Sequence, residues 1–181
     1  WSVDSLYITY TLTQGNNNAS IMIYDTKNKK SHQATSGYFS DNSPTFDREG
    51  KYIYFTTNRA FNPMYSDFEG TWIYANATQI AVLPLTKEVM SPLAEKNDTV
   101  AIVVAEAKPE KKEEGGKKGK QKAEAKEEKK VKDVVIDFDK MEQRVVVLPM
   151  PGGNMGGLSA AEGKIVFVKG PNTGVSDGKG E

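Results

Sequence analysis

The sequence of 181 residues contains no cysteine, so neither a disulfide framework nor a zinc site built on thiolates can form. It contains one histidine, His32, and without a second imidazole or a thiolate we expect no transition-metal site. Acidic and basic residues number 24 each, a balance that gives no overall attraction to nucleic acid or to an anionic membrane. No run of residues approaches the ~20 apolar positions of a membrane-spanning helix. We therefore predict no cofactor, no nucleic-acid partner and no membrane association.

The motifs of common catalytic sites are also missing. There is no Gly-x-Ser-x-Gly elbow of the α/β-hydrolases. The glycine-rich residues 152–157 lack the Lys-Ser or Lys-Thr of a phosphate-binding loop and open no predicted helix, so we predict a flexible crossover there. His32 lies close to Lys29 and Lys30 in a polar segment, and we predict a solvated surface imidazole. We predict no catalytic, cofactor-binding or metal-binding position in this chain.

Two carboxylates need a separate interpretation. Asp137 and Asp139 alternate with Phe138, so they share one face if this segment is a strand. Paired carboxylates of this kind can hold Ca²⁺ or take part in acid–base catalysis. At the end of a strand beside a turn, however, Asp side chains commonly accept hydrogen bonds from backbone N–H groups. We favour this capping role over the metal site.

The strongest positive signal is a repeated β unit. Phe46 ends a predicted strand, residues 47–50 form a polar turn, and residues 52–57 are β-branched or aromatic. The first two copies of this unit start about 45 residues apart, a period typical of four-stranded propeller blades. A gap-free alignment of three copies brings three sets of apolar residues together: Trp1, Phe46 and Leu158; Ile8, Ile53 and Ile165; and Tyr10, Phe55 and Phe167.

Further strands complete the predicted blades. In the first unit, residues 20–25 are a predicted third strand and residues 31–35 a polar edge strand, which suits the outer edge of a blade. Residues 37–43 then carry the chain to the next inner strand, which we predict to begin at Pro44. This order of inner strand, hairpin, third strand, edge strand and crossover is that of a propeller unit.

The second unit is less regular. Residues 80–85 and residues 134–139 both resemble third strands, although only one inner hairpin precedes them, and the pattern leaves open which is the regular one. Residues 144–149 are predicted to pair with residues 134–139. Pro84 is expected to mark a strand end. The third hairpin is predicted over residues 158–169.

A long connection, residues 60–70, follows the second hairpin and is rich in aromatic residues. We favour an arrangement in which Phe61, Tyr65 and Phe68 fold back onto the blade, because burial of aromatic rings is favourable. The alternative is an aromatic surface at the rim of the propeller that faces a ligand.

Residues 106–133 differ in composition from the rest of the chain. They consist largely of Lys, Glu, Ala and Gly and contain no aromatic residue, so they cannot bury enough apolar surface to offset the entropy of ordering. We predict a disordered, solvated insertion, and not a nucleic-acid-binding segment, because acids are interleaved with the lysines and stacking aromatics are absent. Residues 1–105 and 134–181 are then predicted as two parts of one propeller region.

Together these patterns predict an all-β fold made of antiparallel four-stranded blades of an incomplete β-propeller. The chain starts at Trp1 in the middle of a repeat unit, without an initiator Met or a signal peptide, and we interpret it as a segment of a longer protein. Nothing in the sequence distinguishes a cytoplasmic from a periplasmic location.

Several stretches of the chain resemble the propeller region of tricorn-type proteases. These are residues 37–47 with residues 50–55, the run 59–63 that contains Phe61-Asn62-Pro63, and the block 135–149 with the Gly157-Leu158-Ser159 that follows it. The resemblance implies a large serine peptidase in which propellers precede a PDZ-like module and an α/β catalytic core. It places the catalytic residues outside this chain.

The same resemblance implies a function. The segment would gate the access of peptide substrates and the exit of products, and it would scaffold assembly with the other domains into a homo-oligomer. Two alternatives remain from the sequence: a propeller that only binds or scaffolds proteins, and the propeller of an exopeptidase of the prolyl-oligopeptidase type.

Overall fold

The computed structural model describes residues 1–61, 63–66, 68–95 and 133–173. Contacts between Cα atoms group the chain into two compact regions, Trp1–Ala94 with Val131–Glu181 and Glu95–Lys130. The region Glu95–Lys130 and the predicted insertion, residues 106–133, lie outside the described residues except for Glu95 and Asp133. Within the described ranges, we find no helix long and apolar enough to cross a membrane.

The described part of the chain is built of antiparallel strands and one short 3₁₀ helix, Met141–Arg144, which confirms the predicted all-β class. The strands, in chain order, are β1 (Tyr7–Thr13), β2 (Ala19–Asp25), β3 (Lys30–Gln33), β4 (Asp41–Phe46), β5 (Tyr52–Thr57), β6 (Met64–Ser66), β7 (Thr71–Ile73), β8 (Gln79–Pro84), β9 (Val146–Val147), β10 (Asn154–Ala161) and β11 (Lys164–Gly170).

The first sheet has the order β1-β2-β3. Its central strand, β2, is a short apolar run bounded by turn residues, and Ile21 and Ile23 are fully buried, as expected for a strand covered on both faces. The predicted third strand is therefore confirmed. The predicted edge strand is confirmed as β3, although β3 ends at Gln33. Before β1, residues 3–6 form turns and bends, and the Trp1 side chain is exposed.

The second sheet has the order β4-β5-β8-β9 and is a complete four-stranded antiparallel blade. It begins at Asp41, so the prediction that the inner strand begins at Pro44 is wrong by three residues. A bulge between Asn42 and Thr45 interrupts the pairing of β4 with β5, and Ser43 has φ 52° there. This break explains why the alternating pattern of a strand is hard to recognise before Pro44.

The structure settles which segment is the third strand of this blade. β8 pairs with β5 over its whole length, from Tyr52 opposite Pro84 to Thr57 opposite Gln79. Residues 134–139 form no strand, so that prediction is wrong. The backbone N–H of Val134 donates to the Asp4 carboxylate at 2.8 Å. The backbone N–H of Asp137 instead donates to the carbonyl of Leu85, just after β8, at 2.9 Å. Because its backbone hydrogen bonds are divided between two parts of the fold, the segment forms no ladder with a single strand.

The repeated turn is confirmed for the first two units. The backbone N–H of Ser2 donates to the carbonyl of Tyr7 at 2.8 Å, and that of Asp47 donates to the carbonyl of Tyr52 at 3.0 Å. The side-chain oxygens of Ser2 and Asp47 also accept the N–H of the same Tyr7 and Tyr52. These four residues occupy matching positions in the gap-free alignment. The two turns therefore share one hydrogen-bond pattern.

The third unit departs from this pattern. β10 continues to Ala161, and a two-residue turn closed by Gly163, at φ 65°, leads directly into β11 at Lys164. As a result Ile165 pairs with Ala160, whereas the alignment predicts that Leu158 takes that place. The predicted third hairpin exists, but its turn lies later in the chain than in the other two units.

Residues 133–145, here called the strap, join the two larger sheets. Val134 and Met141 are buried in a core shared by both sheets, whose other members are Ile21, Ile23, Ala34, Phe46, Ile53, Phe55, Ala81, Leu83 and Leu85. The Glu142 carboxylate accepts hydrogen bonds from the backbone N–H and the hydroxyl of Ser36, both at 3.0 Å. The strap therefore fixes one blade against the other.

Candidate functional site

The inner strand β4 has an open cleft at each end. β4 lies at the edge of its own sheet and is flanked by β1 and β2 on one side and by β10 on another. The first cleft, about 390 Å³, lies at the start of β4 and is here called the mouth cleft. The second, about 340 Å³, lies at its end and is here called the turn cleft. Residues of one strand thus line both clefts.

The mouth cleft is lined almost entirely by hydroxyl and amide side chains. Its lining residues are Ser40, Asn42, Ser43, Thr56, Thr57, Asn58, Thr78 and Met155. The Thr56 hydroxyl donates to the carbonyl of Asn42 at 3.0 Å, and the backbone N–H of Ser40 donates to Asn58 Oδ1 at 2.8 Å. None of these lining residues carries an acid or a base. The cleft can therefore hydrogen-bond to a peptide backbone, but it offers no group for proton transfer.

The turn cleft is formed where the three repeated units meet. It is lined by residues of the first turn (Trp1, Ser2, Val3 and Ser5), of the second (Thr45, Phe46, Asp47 and Arg48) and of the third hairpin (Ser159 and Ala160). Arg48 Nε donates to the carbonyl of Ala160 at 3.4 Å and so connects the second unit to the third. The turn cleft is thus formed by residues of all three repeated units that the sequence reveals.

A buried ion pair fixes the mouth. The Asp41 side chain, at the start of β4, is fully buried, and Arg59 Nη2 donates to its Oδ2 at 3.0 Å. The Thr57 hydroxyl donates to the other oxygen of Asp41 at 2.6 Å. The guanidinium also lies 4.7 Å from the centre of the Phe39 ring, and Glu142 of the strap is 3.5 Å away. Sequence reasoning missed this pair, because its members are 18 positions apart and form no local motif.

The connection between β5 and β8 carries an exposed aromatic surface. Residues 61–74, here called the aromatic hairpin, contain β6 and β7, which form a separate two-stranded sheet. Its exposed aromatic residues, with relative exposures, are Phe61 (81%), Tyr65 (56%), Phe68 (98%), Trp72 (58%) and Tyr74 (57%). The favoured prediction that the first three of these fold back onto the blade is therefore wrong.

Four of the hairpin rings contact one another in pairs. Tyr65 and Trp72 are opposite each other in the register, with their rings edge-on and 5.5 Å apart. Phe61 and Tyr74 are 5.9 Å apart. The sheet has no second layer over these rings among the described residues, so they stay exposed. This is the arrangement that the alternative prediction, an aromatic surface at the rim, requires.

The single histidine is not a solvated surface group, so that prediction is wrong. The His32 ring lies parallel to Phe138 of the strap, with ring centres 3.7 Å apart and 14° between the planes. His32 is half-buried as a result. Its place is explained by packing between the first sheet and the strap.

Asp137 acts as a cap, as favoured from the sequence, although neither Asp137 nor Asp139 lies on a strand. The backbone N–H of Asp139 donates to Asp137 Oδ1 at 2.9 Å, and this hydrogen bond is the main reason why the pKa of Asp137 is lowered. Lys87 Nζ lies 3.2 Å from one carboxylate and 3.1 Å from the other. Among the described residues, we find no cluster of potential metal ligands.

Residues 154–157 belong to β10, so the prediction that residues 152–157 form a crossover is wrong for these four residues. Asn154 begins β10, and the backbone N–H of Gly153 donates to the carbonyl of Thr78 at 3.0 Å. A Cβ on Gly152 would lie 2.8 Å from the carbonyl oxygen of Asn76. Glycine is required there because two backbones approach closely.

Comparisons with known proteins agree with this architecture. The sequence family described as the second β-propeller domain of tricorn protease matches residues 1–181. The tricorn protease of Thermoplasma volcanium is 30% identical over 97 residues, which are 50% of this chain and 9% of that protein. A crystal structure of the tricorn protease has a TM-score of 0.59 and 18% identity, and the match covers 87% of this chain and 13% of that one. The chain thus spans a small part of the length of both relatives.

Proposed function

This chain belongs to the family of second β-propeller domains of tricorn proteases, and from that premise we propose that it gates peptide access and product exit in a tricorn-like serine peptidase. The family and the propeller fold confirm the resemblance seen in the sequence. The chain itself takes no part in the chemistry under this proposal. Its partners are peptide substrates, the remaining domains of the same protein and further copies of that protein.

The observation that carries the proposal is the pair of clefts joined by β4. An extended peptide has unpaired backbone N–H and C=O groups that need partners when water is removed from them. The hydroxyl and amide groups of Asn42, Thr56 and Asn58 supply such partners at the mouth. Under this proposal the selection is steric, because the blades of the closed propeller surround a passage that a folded protein is too wide to enter.

A scaffolding role fits the contacts that hold the blades together. The hydrogen bonds from Ser36 to Glu142 and the buried residues of the strap join neighbouring sheets, and Arg59, which is paired with Asp41 inside the second sheet, also contacts Glu142 of the strap. These contacts keep the distance between the blades fixed, and a passage selects by size only if its width is fixed.

A second candidate, a propeller that only binds proteins, is favoured by one feature, the exposed aromatic hairpin. The prolyl-oligopeptidase alternative is disfavoured, because a tricorn propeller family matches over the entire chain.

A substitution that fills the mouth cleft tests the gate. Asn42 is exposed and lines this cleft, so Asn42→Trp in the complete protein places an indole in the opening. We expect cleavage of long peptides to slow several-fold, whereas cleavage of a short chromogenic peptide changes little. Gln33→Trp, at an exposed position of β3, is the matched control and is expected to leave both rates unchanged.

Equal rates on long peptides for Asn42→Trp and the control would contradict the gate. Absence of any peptidase activity in the complete wild-type protein would favour the binding propeller instead.

A further inference from the structure

We propose that the aromatic hairpin is a docking surface for extended, neutral or basic peptides that carry large apolar side chains. This inference rests on the proposed function, because it assigns a substrate class to the mouth of the same passage. The docking surface determines which peptides bind and how tightly, whereas the gate selects substrates by their size.

The first argument is the unexplained exposure of the rings. A large exposed apolar cluster marks an interaction site more often than a structural feature, because it adds nothing to the core. Phe68 and Trp72 are 98% and 58% exposed, and none of the hairpin side chains that the structure describes belongs to the buried core. Aromatic side chains also provide a large, rigid contact area at low entropic cost. The surface is therefore suited to binding apolar side chains.

The second argument is position. The hairpin joins the end of β5 to the start of β8, and the residues at both of its roots, Thr57, Asn58 and Thr78, line the mouth cleft. The same end of the sheet holds the start of β4, where Asp41 pairs with Thr57. We therefore infer that a peptide whose side chains rest on the rings can extend along the roots of the hairpin to the opening.

The third argument is charge, which selects the occupant. Residues 60–78 contain no Lys or Arg and carry two acids, Asp67 and Glu69. The neighbouring cation, Arg59, is already paired with the buried Asp41. Two copies of a segment with this net negative charge repel each other, whereas the segment does not repel a neutral or basic peptide. We therefore choose the peptide, rather than a second copy of the chain, as the occupant.

The fourth argument concerns the conformation of the peptide. β6 and β7 pair with each other, and within the described part of the chain neither has a second neighbour. Each outer edge can accept backbone hydrogen bonds from an added strand, a common mode of peptide recognition. An extended peptide can form backbone hydrogen bonds with the strand edge and place its side chains on the rings.

The test measures peptide affinity in the complete protein with the double substitution Phe68→Ser and Trp72→Ser. Neither side chain belongs to the buried core, so the blades are not at risk, and Val168→Ser, an exposed change on β11, is the control. The probes are two fluorescent dodecapeptides of the same net positive charge, one with three Phe residues and one with Ser in their place. We expect about tenfold weaker binding of the Phe peptide to the double variant, and no change for the Ser peptide or for the control.

Three results would overturn the inference. The first is an unchanged Kd for the Phe peptide. The second is strong protection of the hairpin amides from hydrogen exchange without peptide, which means that another domain covers the surface. The third is concentration-dependent self-association that the double substitution abolishes, which identifies a second copy as the occupant.

These outcomes are separable from those of the gate. If the gate exists and docking does not, Asn42→Trp slows the cleavage of long peptides while the double variant binds the Phe peptide normally. If docking exists and the gate does not, the affinity falls in the double variant while Asn42→Trp has no effect.

Discussion

The four-stranded sheet and the aromatic hairpin use the same kinds of side chain in opposite ways. In the sheet, Phe55 of β5 is fully buried between the layers of the core. In the hairpin, 13 residues later in the sequence, Phe68 is 98% exposed. Both segments have a composition typical of strands, so composition does not decide which rings are buried.

What differs is the number of layers that cover each segment. β5 pairs with β4 and β8 and also faces the first sheet and the strap, so its apolar face is enclosed. The hairpin is two strands of three residues each, and isolated sheets of this size are marginal in water. Apolar residues in the sheet therefore stabilise the fold, whereas those in the hairpin are available for binding. Substitutions in the two regions should separate these roles.

The largest effect is expected for Phe55→Ala. Removal of a fully buried aromatic ring loses its transfer free energy and leaves a cavity, with a cost of about 3–5 kcal/mol. We expect hydrogen exchange of the β5 and β8 amides in the complete protein to accelerate accordingly. Full protection of these amides in the variant would mean that the core can close around the lost ring, and the contrast with the hairpin would then fail.

Asp41→Asn is expected to have the next largest effect. The substitution removes the negative charge that faces Arg59 and leaves the guanidinium with Glu142 at 3.5 Å as its remaining carboxylate partner. Loss of a charged hydrogen bond of this kind costs about 1.5–3 kcal/mol.

The measurement for Asp41→Asn is hydrogen exchange at the start of β4 and the end of β5, with the β1 and β2 amides as an internal reference. The change should be confined to the mouth, because Asp41, Thr57 and Arg59 all lie there. A uniform loss of protection over both sheets would show that the pair supports the whole fold rather than the mouth.

The parts of the fold that the sequence predicts are those with local signals. β2 and β8 are short apolar runs between turn residues, and each becomes the buried central strand of its sheet. The turns at Ser2 and Asp47 share a hydrogen-bond pattern because they share a polar residue that accepts the N–H of the residue five positions later. Repetition along the chain made both turns recognisable.

The parts that the sequence does not predict depend on distant partners. β9 has two residues, and its place beside β8 is set by a long-range pairing of Ala81 with Val147. The third hairpin departs from the others at its turn, because Gly163 allows a shorter closure. In the candidate site, the mouth cleft is formed by residues of several strands and the crossover, and the exposure of Phe68 depends on the absence of a covering layer. Neither property is encoded in a local pattern.

A smaller effect, dependent on pH, is expected for Asp25→Asn at the end of β2. The buried Asp25 carboxylate accepts the backbone N–H of Asn28 at 2.8 Å and that of Lys27 at 2.9 Å, and it also accepts the Asn28 side chain at 2.8 Å. These hydrogen bonds, led by the Asn28 N–H, lower the pKa of Asp25. Its contribution to stability is therefore present above the unfolded-state value of about 3.9 and is lost as the pH falls through the lower folded-state pKa.

Accordingly, Asp25→Asn should be less stable than the wild type at pH 7, and the difference should shrink in acid. Denaturant unfolding at pH 7 and pH 3 measures it, with Asp133→Asn, at an exposed carboxylate, as the control. If the difference in stability between Asp25→Asn and the wild type is the same at both pH values, the charge of Asp25 does not contribute to stability.

The smallest effect on stability is expected for Phe68→Ala, which makes the same chemical change as Phe55→Ala in the other region. Because the ring is almost fully exposed, its removal takes no apolar surface out of a core, and the change should stay within about 0.5 kcal/mol. Hydrogen exchange of β5 and β8 should be unchanged, whereas binding of the Phe-containing peptide should weaken. A loss of stability comparable to that of Phe55→Ala would mean that the hairpin is covered in the complete protein, and that its rings serve the fold as those of the sheet do.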